Sequence, residues 1–357
     1  MRRWIPFAFL ALVCSLPQPT AAAEPVAATV ETTLTTADSQ IRQFAFDGDP
    51  DTYFASEKNP SAADSFTLRF DKAVAVKTVS ATTGRPKGED ALEAGTLQVS
   101  ADGKVFEDAA DFADGVAKAI FDGRMIQAVR IKPTEDLKHP LTIREIAVDS
   151  EPAVTTFKYP VEFVVDVSDA PEMKAWADKA ASICEREYPM LCDDLRSDNW
   201  TPRRVIQMRL TTNYRGVAAT SGGRITGSVK YFKSHPEDFG AMVHETAHTV
   251  QGLRGGNPGW LVEGIADYER FFKYEPGKAG PVDPDRAHYD GSYRVTATFL
   301  NFVSEKYDKE LVRKLNVHMR DGTYSDGLFK ELTGKSLKEL DDEWRESLKK
   351  GADELPR

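Results

Sequence analysis

The sequence predicts a multidomain protein, in which an all-β sandwich of the jelly-roll type precedes an α+β domain. At 357 residues the chain is long enough for two domains. Short alternating apolar stretches, punctuated by Asp, Gly and Pro, fill the chain up to about residue 150. Beyond that point, helical periodicity takes over. We therefore predict a sandwich at 24–150, a linker at 149–156 around Pro152, and an α+β domain at 151–357.

The first residues have the pattern of a secretory signal peptide. Arg2 and Arg3 precede an apolar run at 4–16, and a row of small residues ends at Ala23. The run is too short to cross a bilayer as a helix, and no later transmembrane segment is predicted. We expect residues 1–23 to be removed by cleavage near Ala23, and the mature chain to be secreted or periplasmic.

The formal net charge of −10 argues against nucleic acid or an anionic membrane as the main partner. Cys184 and Cys192 are the cysteines that follow the predicted cleavage site. In an oxidising compartment they could pair across a turn predicted at Pro189. Two buried free thiols are the equal alternative, because the sequence does not show whether the geometry suits a bridge.

Each domain contains several predicted elements. In the first domain, strands are predicted at 65–70, 74–82, 96–100, 128–132 and 141–148. In the second domain, strands are predicted at 159–167 and 204–210, together with a β-like stretch at 217–232. Helices are predicted at 170–187 and 236–251, after Asn257-Pro258, and at 293–305, 308–320, 326–333 and 336–349. Ser336 and Glu339 form a predicted capping box for the last helix.

The strongest functional signal is a pair of histidines four residues apart in one predicted helix. His244 and His248 lie on one helical face, one turn apart, so both imidazoles can reach one metal ion. Glu245 points to the side of that face, where its carboxylate can take a proton from water that zinc activates. This five-residue pattern also arises by chance, so a third ligand is needed to support it.

Glu263 is the candidate third ligand. It lies on the next predicted helix, which follows a Gly-rich turn, and it interrupts an apolar run at 260–266. Asp267, on the same helical face, is placed to accept the free ring N–H of one histidine. The alternative is a solvated acidic face. We favour the zinc interpretation because buried carboxylates are costly without a metal or a partner.

Amide hydrolysis by such a set also needs a hydrogen-bond donor for the oxyanion. Tyr289 and Tyr293, with His288 next to them, lie at the start of a helix downstream of Glu263 and are candidate catalytic donors. The equal alternative is that these aromatic rings only pack near a helix start.

Several segments occur in the order seen in a known family: 216–220, 244–251, 259–268, 293–300 and 319–324. Residues 155–350 thus resemble the basic secretory protein family of plants and microbes, a group of secreted zinc peptidases. The resemblance implies a zincin-like, "gluzincin" metallopeptidase domain with His244, His248 and Glu263 on zinc and Glu245 as general base. Tyr293 falls within a family segment, whereas Tyr289 matches the tyrosine of related aminopeptidases only loosely.

Segments at 45–52, 66–70, 99–103 and 143–146 resemble discoidin-like, galactose-binding-type sandwiches. The resemblance implies a glycan ligand, and calcium binding by oxygens of an Asp-Gly-Asp loop together with a late Glu. The candidate calcium ligands are Asp47, Asp49, Thr52 and Glu145. The equal alternative is an Asp-rich β-turn that caps itself.

Together these features predict an exported zinc endopeptidase whose sandwich binds a carbohydrate or another surface. Its substrate would be a protein or peptide that pairs as an extended strand along an edge strand predicted at 222–228. Two alternatives stay open. One is a non-catalytic adhesion or glycan-binding protein on a peptidase-like scaffold, and the other is a zinc hydrolase that acts on non-peptide amides.

Overall fold

The structure is a computed structural model that describes residues 24–353. The predicted signal peptide at 1–23 lies outside the described residues. Within 24–353, no helix combines the length and the apolar character that crossing a membrane requires.

The N-terminal region is an antiparallel β-sandwich, as predicted. Its strands are β1 (Ala28–Thr32), β2 (Phe54–Ala55), β3 (Phe66–Thr83), β4 (Gly95–Ser100), β5 (Glu107–Asp111), β6 (Val116–Pro133) and β7 (Thr142–Glu151). They are paired in the order β2-β7-β3-β6-β4-β5, and β1 pairs with the first part of β3.

The long strand β3 connects the two layers of the sandwich. The sequence predicted two strands here, at 65–70 and 74–82. In the structure β3 is continuous, and its register with β6 shifts between Arg69 and Val74. A bulge of this kind bends a strand, so one hydrogen-bonded sheet can close over its own core. That core contains Phe66, Leu68, Ile131 and Ile143, all fully buried.

The second region mixes a small sheet with helices, also as predicted. Its elements are β8 (Glu162–Asp166), α1 (Lys174–Leu195), β9 (Val205–Thr211), β10 (Ala218–Ser221), β11 (Arg224–Ser228), α2 (Val229–Ser234), α3 (Gly240–Gln251), α4 (Gly259–Tyr268), α5 (Tyr293–Lys306), α6 (Leu311–Asp321), α7 (Gly327–Thr333) and α8 (Leu337–Asp353). A π-helix, Glu269–Tyr274, continues α4. The predicted capping box starts α8, since Ser336 Oγ and the Ser336 N–H both donate to Glu339 Oε2.

The sheet order is β10-β11-β9-β8, and β10 is its only antiparallel strand among the described residues. The sequence placed the edge strand at 222–228, and this was wrong. That stretch contains a glycine turn and β11, which pairs on both sides, with β10 and with β9. The edge strand on this side of the sheet is therefore β10 (Ala218–Ser221), and β8 lies at the opposite edge.

Helix α1 also differs from the prediction. It runs through Pro189 to Leu195, because Leu191, Cys192 and Leu195 continue its buried face. Cys184 and Cys192 are thus eight residues apart on one helix, about 12 Å at 1.5 Å per residue. A disulfide requires Cα atoms within about 7 Å. Both cysteines are buried and free, so the disulfide alternative is excluded.

Helix α3 begins later than predicted, at Gly240 rather than Pro236. Ser228 Oγ first accepts the N–H of Tyr231 and caps the short helix α2. A turn then follows, in which Asp238 Oδ1 accepts the N–H of Ala241 at the start of α3. The side chain of Asp238 thus supplies the helix start that Pro236 was expected to provide.

Candidate active site

Helices α3 and α4 bring the predicted metal ligands together. Met242, Val243 and Ala247 pack into the core, while His244 and His248 lie together on another side of α3. Gly252, with φ of 60°, ends α3 in the left-handed conformation that glycine tolerates best. The chain then reverses and α4 carries Glu263 back to the two histidines.

Close packing fixes the position of α4. A Cβ atom at Gly264 would lie 2.1 Å from Cγ2 of Thr296 on α5, so only glycine fits at this contact. The Thr296 hydroxyl donates to the main-chain oxygen of Tyr289 at 2.7 Å and holds the loop before α5. The contact between Gly264 and Thr296 therefore positions α4, which carries Glu263, against α5, which begins at Tyr293.

The three predicted ligand atoms form a nearly equilateral triangle. His244 Nε2 lies 3.1 Å from His248 Nε2 and 3.2 Å from Glu263 Oε2, and His248 Nε2 lies 3.4 Å from the same oxygen. Ligands at zinc distances of 2.0–2.1 Å and tetrahedral angles are about 3.3 Å apart. The donor set and its spacing therefore fit a zinc ion.

The outward ring nitrogens of both histidines have partners. Asp267 Oδ1 lies 2.6 Å from His244 Nδ1, which is the arrangement expected for Asp267 from the sequence. Gln251 Oε1 lies 2.7 Å from His248 Nδ1, and the Gln251 amide donates to the main-chain oxygen of Val262. Sequence reasoning missed Gln251, although its position three residues after His248 was the available signal. Both partners orient an imidazole toward the triangle.

The local electrostatics favour a cation. Burial lowers the pKa of His244, but the hydrogen bonds with Asp267 and Glu263 outweigh burial and raise it to about 9. Burial raises the pKa of Glu263, but the hydrogen bonds with His244 and His248 outweigh it and lower the pKa to about 2. Clustered carboxylates around two imidazoles are a suitable environment for a divalent ion.

Glu245 accepts a hydrogen bond that was not predicted from the sequence. The hydroxyl of Thr220, on β10, lies 2.7 Å from Glu245 Oε2 and 3.0 Å from the main-chain oxygen of the same residue. Glu245 is only 6% exposed, and it lines the same cleft as the three ligand atoms. The segment 216–220 was noted in the sequence without a role, and in the structure it lines the same cleft as Glu245.

The two candidate tyrosines occupy different places. The Tyr293 ring stacks on His244 with centroids 6.1 Å apart and is 55% exposed, facing the cleft. Its backbone φ of 47°, after 64° at Ser292, is left-handed and strained for these residues. Tyr289 instead packs edge-on against Trp260 and does not line the cleft. The geometry therefore favours Tyr293 over Tyr289 as an oxyanion donor.

These groups open into a cleft of about 810 Å³. Strand β10 forms one wall, and helices α3 and α4 form the other. Arg203 and Gly223 line the cleft where β10 ends, and Tyr231 and Arg270 line it as well. Ala218, Ala219 and Thr220 of the edge strand β10 therefore line the same cleft as the three ligand atoms.

A family model described as "Peptidase of plants and bacteria" matches residues 162–345, which is more than half of the chain. The chain belongs to this peptidase family. The match confirms the membership predicted from the motifs, and it contains every residue of the triangle together with Glu245, Thr220 and Tyr293. A search of curated proteins found no match.

The sandwich of this peptidase-family protein matches the F5/8 type C domain over residues 27–146. The chain is also similar to solved structures of carbohydrate-binding modules. One is CBM32-1 of a family 31 glycoside hydrolase from Clostridium perfringens, with 20% identity over 34% of this chain and 92% of that chain and a TM-score of 0.30. Another is the family 32 module of NanJ from C. perfringens in complex with galactose, with 17% identity over 34% and 92% of the chains and a TM-score of 0.29.

The predicted calcium ligands of the peptidase-family protein lie together in the sandwich. Asp47 accepts hydrogen bonds from the Thr52 hydroxyl and from the Asp49 N–H. Burial, followed by the nearby charges of Asp47 and Asp49, raises the pKa of Glu145 to about 7. These hydrogen bonds are expected for an Asp-rich turn that caps itself, and equally for a loop that is preformed to bind calcium. Calcium binding therefore stays a prediction.

Proposed function

We propose that this protein is an exported zinc-dependent endopeptidase in which Glu245 acts as general base. The observation that supports this proposal most directly is the triangle of His244, His248 and Glu263, whose sides match those of tetrahedral zinc ligands. With three protein ligands, the fourth position of such a site is left for water or substrate, as catalytic zinc requires.

In this proposal each side chain has a separate task. When bound, zinc lowers the pKa of water and polarises the substrate carbonyl. Glu245 accepts the proton of the attacking water and delivers it to the leaving amine. Thr220 holds the Glu245 carboxylate in place, and the Tyr293 hydroxyl donates a hydrogen bond to the oxyanion.

The substrate class follows from β10. An extended peptide can add to the free edge of β10 by main-chain hydrogen bonds, which do not depend on side-chain identity. Such pairing would lay a peptide bond across the ligand triangle, since Thr220 on β10 contacts Glu245. A protein or peptide substrate is therefore favoured over a small non-peptide amide.

The test uses the mature chain, residues 24–357, and its Glu245→Gln variant. We expect one zinc per wild-type chain, cleavage of casein or of a peptide library, and loss of cleavage with zinc retained in Glu245→Gln. A wild type that holds no stoichiometric zinc would contradict the metal site. Zinc binding without any peptide cleavage would favour a non-catalytic adhesion role or hydrolysis of another amide.

We further propose that residues 24–150 form a carbohydrate- or surface-binding domain that targets the peptidase domain at 151–357. The support is the match of residues 27–146 to the F5/8 type C family. A glycan array probed with the whole chain, with calcium and with chelator, tests both the ligand and the role of the Asp47 loop. An absence of binding under both conditions contradicts the targeting role.

A further inference from the structure

One end of the cleft carries an arginine whose main chain is firmly held. The hydroxyl of Tyr188, a fully buried residue of α1, donates to the main-chain oxygen of Arg203 at 3.0 Å. Strand β9 begins two residues later at Val205, so the backbone leading away from Arg203 is fixed by the sheet. Arg203 therefore enters the cleft from an anchored position.

The guanidinium of Arg203 lies against the turn that joins β10 to β11. A Cβ atom at Gly223 would lie 2.7 Å from Nη1 and 2.8 Å from Cζ of Arg203. The φ of 82° at Gly223 already favours glycine for the turn, and the missing side chain leaves room for the guanidinium. Glycine thus allows the arginine to rest at the end of the edge strand.

The charge of Arg203 is not neutralised within the protein. Residues 24–353 provide no ion pair or side-chain hydrogen bond for its guanidinium, whereas the other arginine of the cleft, Arg270, pairs with Asp238 and Glu275. Exposed arginines without partners are common on protein surfaces. Arg203 differs from these because it lines a cleft beside a strand edge and rests on a glycine backbone.

The direction of β10 decides which part of a substrate would reach Arg203. β10 runs from Ala218 past Thr220, which contacts Glu245, toward the turn at Gly222 and Gly223. A peptide that pairs antiparallel with β10 runs the opposite way. The peptide residues on the N-terminal side of the scissile bond therefore lie toward Arg203. At about 3.3 Å per residue, the peptide residue nearest Arg203 is about two to three residues before that bond.

We propose that Arg203 binds a substrate carboxylate, so that the enzyme prefers peptides with Glu or Asp about two to three residues before the cleaved bond. Guanidinium and carboxylate form charge-assisted, two-pronged hydrogen bonds that a neutral amide cannot match. This inference rests on the proposed peptidase function and names the substrate class of that same cleft.

The test compares peptides that differ only by Glu, Gln or Lys at that position. For the wild type, kcat/KM for the Glu peptide should exceed that for the Gln peptide by about 10-fold, as expected for a hydrogen bond to a charged group in a partly solvated site. Arg203→Gln should reduce the ratio to about 1, and Arg203→Glu should favour the Lys peptide. Arg254→Gln, which removes an exposed arginine outside the cleft lining, should keep the wild-type ratio.

Binding provides a readout that is independent of turnover. In the Glu245→Gln background, calorimetry should show the same preference for the Glu peptide, and Arg203→Gln should abolish it while leaving zinc content unchanged. A Glu preference that persists in Arg203→Gln overturns the inference, as does a wild type that cleaves peptides without any acidic preference. A wild type that cleaves no peptide at all contradicts the proposed function instead.

Discussion

The hydroxyl of Thr220 lies 2.7 Å from Oε2 of Glu245 and joins the edge strand of the sheet to the candidate general base. A side chain that lines the cleft thus also holds the carboxylate proposed to move the proton. Because a catalytic carboxylate needs a fixed direction toward the attacking water, this contact should matter for turnover more than for folding.

Thr220→Val should lower kcat about 10-fold, which is part of the rate that general base catalysis supplies. Valine keeps the shape and removes the hydrogen bond. Thr220→Ser should recover most of the activity, and Thr298→Val, on α5, should have no effect. Zinc content and thermal midpoint measure folding in each variant. Equal kcat in Thr220→Val and wild type would contradict the positioning role.

Tyr293→Phe should lower kcat about 100-fold with little change in KM, the usual result of losing one oxyanion donor. The matched comparison is Tyr289→Phe, whose ring packs against Trp260 outside the cleft. Steady-state kinetics on one peptide substrate distinguish the two tyrosines. The assignment fails if the Tyr289 variant shows the larger loss.

Asp267→Ala should weaken zinc binding about 10- to 100-fold, because the outward nitrogen of His244 loses the carboxylate that orients its ring. Competition with a chromogenic chelator measures the change. Gln251→Ala should have a smaller effect, since it removes a neutral partner of His248. Unchanged zinc affinity in Asp267→Ala would show that the ring is held by packing alone.

Glu269 should make the protein less stable as the pH rises. It is fully buried at the start of the π-helix, and neither carboxylate oxygen has a hydrogen-bond partner among the described residues. Burial, followed by the charge of Asp194, raises its pKa well above the usual range. Because the folded pKa exceeds the unfolded one, stability is fully present below about pH 4.3 and is lost as the pH rises through the folded value.

Glu269→Gln removes this ionisation, so its thermal midpoint should exceed that of the wild type at pH 8 and change less between pH 5 and pH 8. Each unit of raised pKa corresponds to about 1.4 kcal/mol at most. Glu331→Gln, at an exposed position on α7, is the control. Parallel stability curves for wild type and Glu269→Gln would refute the assignment.

Arg42 should stabilise the junction between the sandwich and the second region. Its guanidinium lies between Glu162 and Glu185, and the Gln43 side chain accepts the N–H of Val161 beside it. Arg42→Met leaves two largely buried carboxylates without a positive charge beside them and should cost about 3–5 kcal/mol, although each keeps a main-chain hydrogen bond. Arg42→Lys should cost less. Denaturant unfolding measures both, and a neutral Arg42→Met would show that the two regions are coupled by other contacts.

The sequence by itself predicted the two-part architecture and the ligand set. Both predictions come from the spacing of residues along the chain. His244 and His248 share a helical face because they are four residues apart, and short alternating stretches between frequent turns indicate strands that are buried on one side. The family segments added the order in which these elements occur. These features are local, so they can be read without knowing which elements meet.

Only the tertiary structure decided the contacts between distant segments. It placed β10 rather than 222–228 at the sheet edge, because β11 pairs on both sides. It separated Tyr293 from Tyr289, and it brought Thr220 to Glu245 and Arg203 to Gly223. The helix of Cys184 continued through Pro189 because its buried face did. These contacts depend on how distant elements pack against one another, and no local pattern in the sequence predicts that packing.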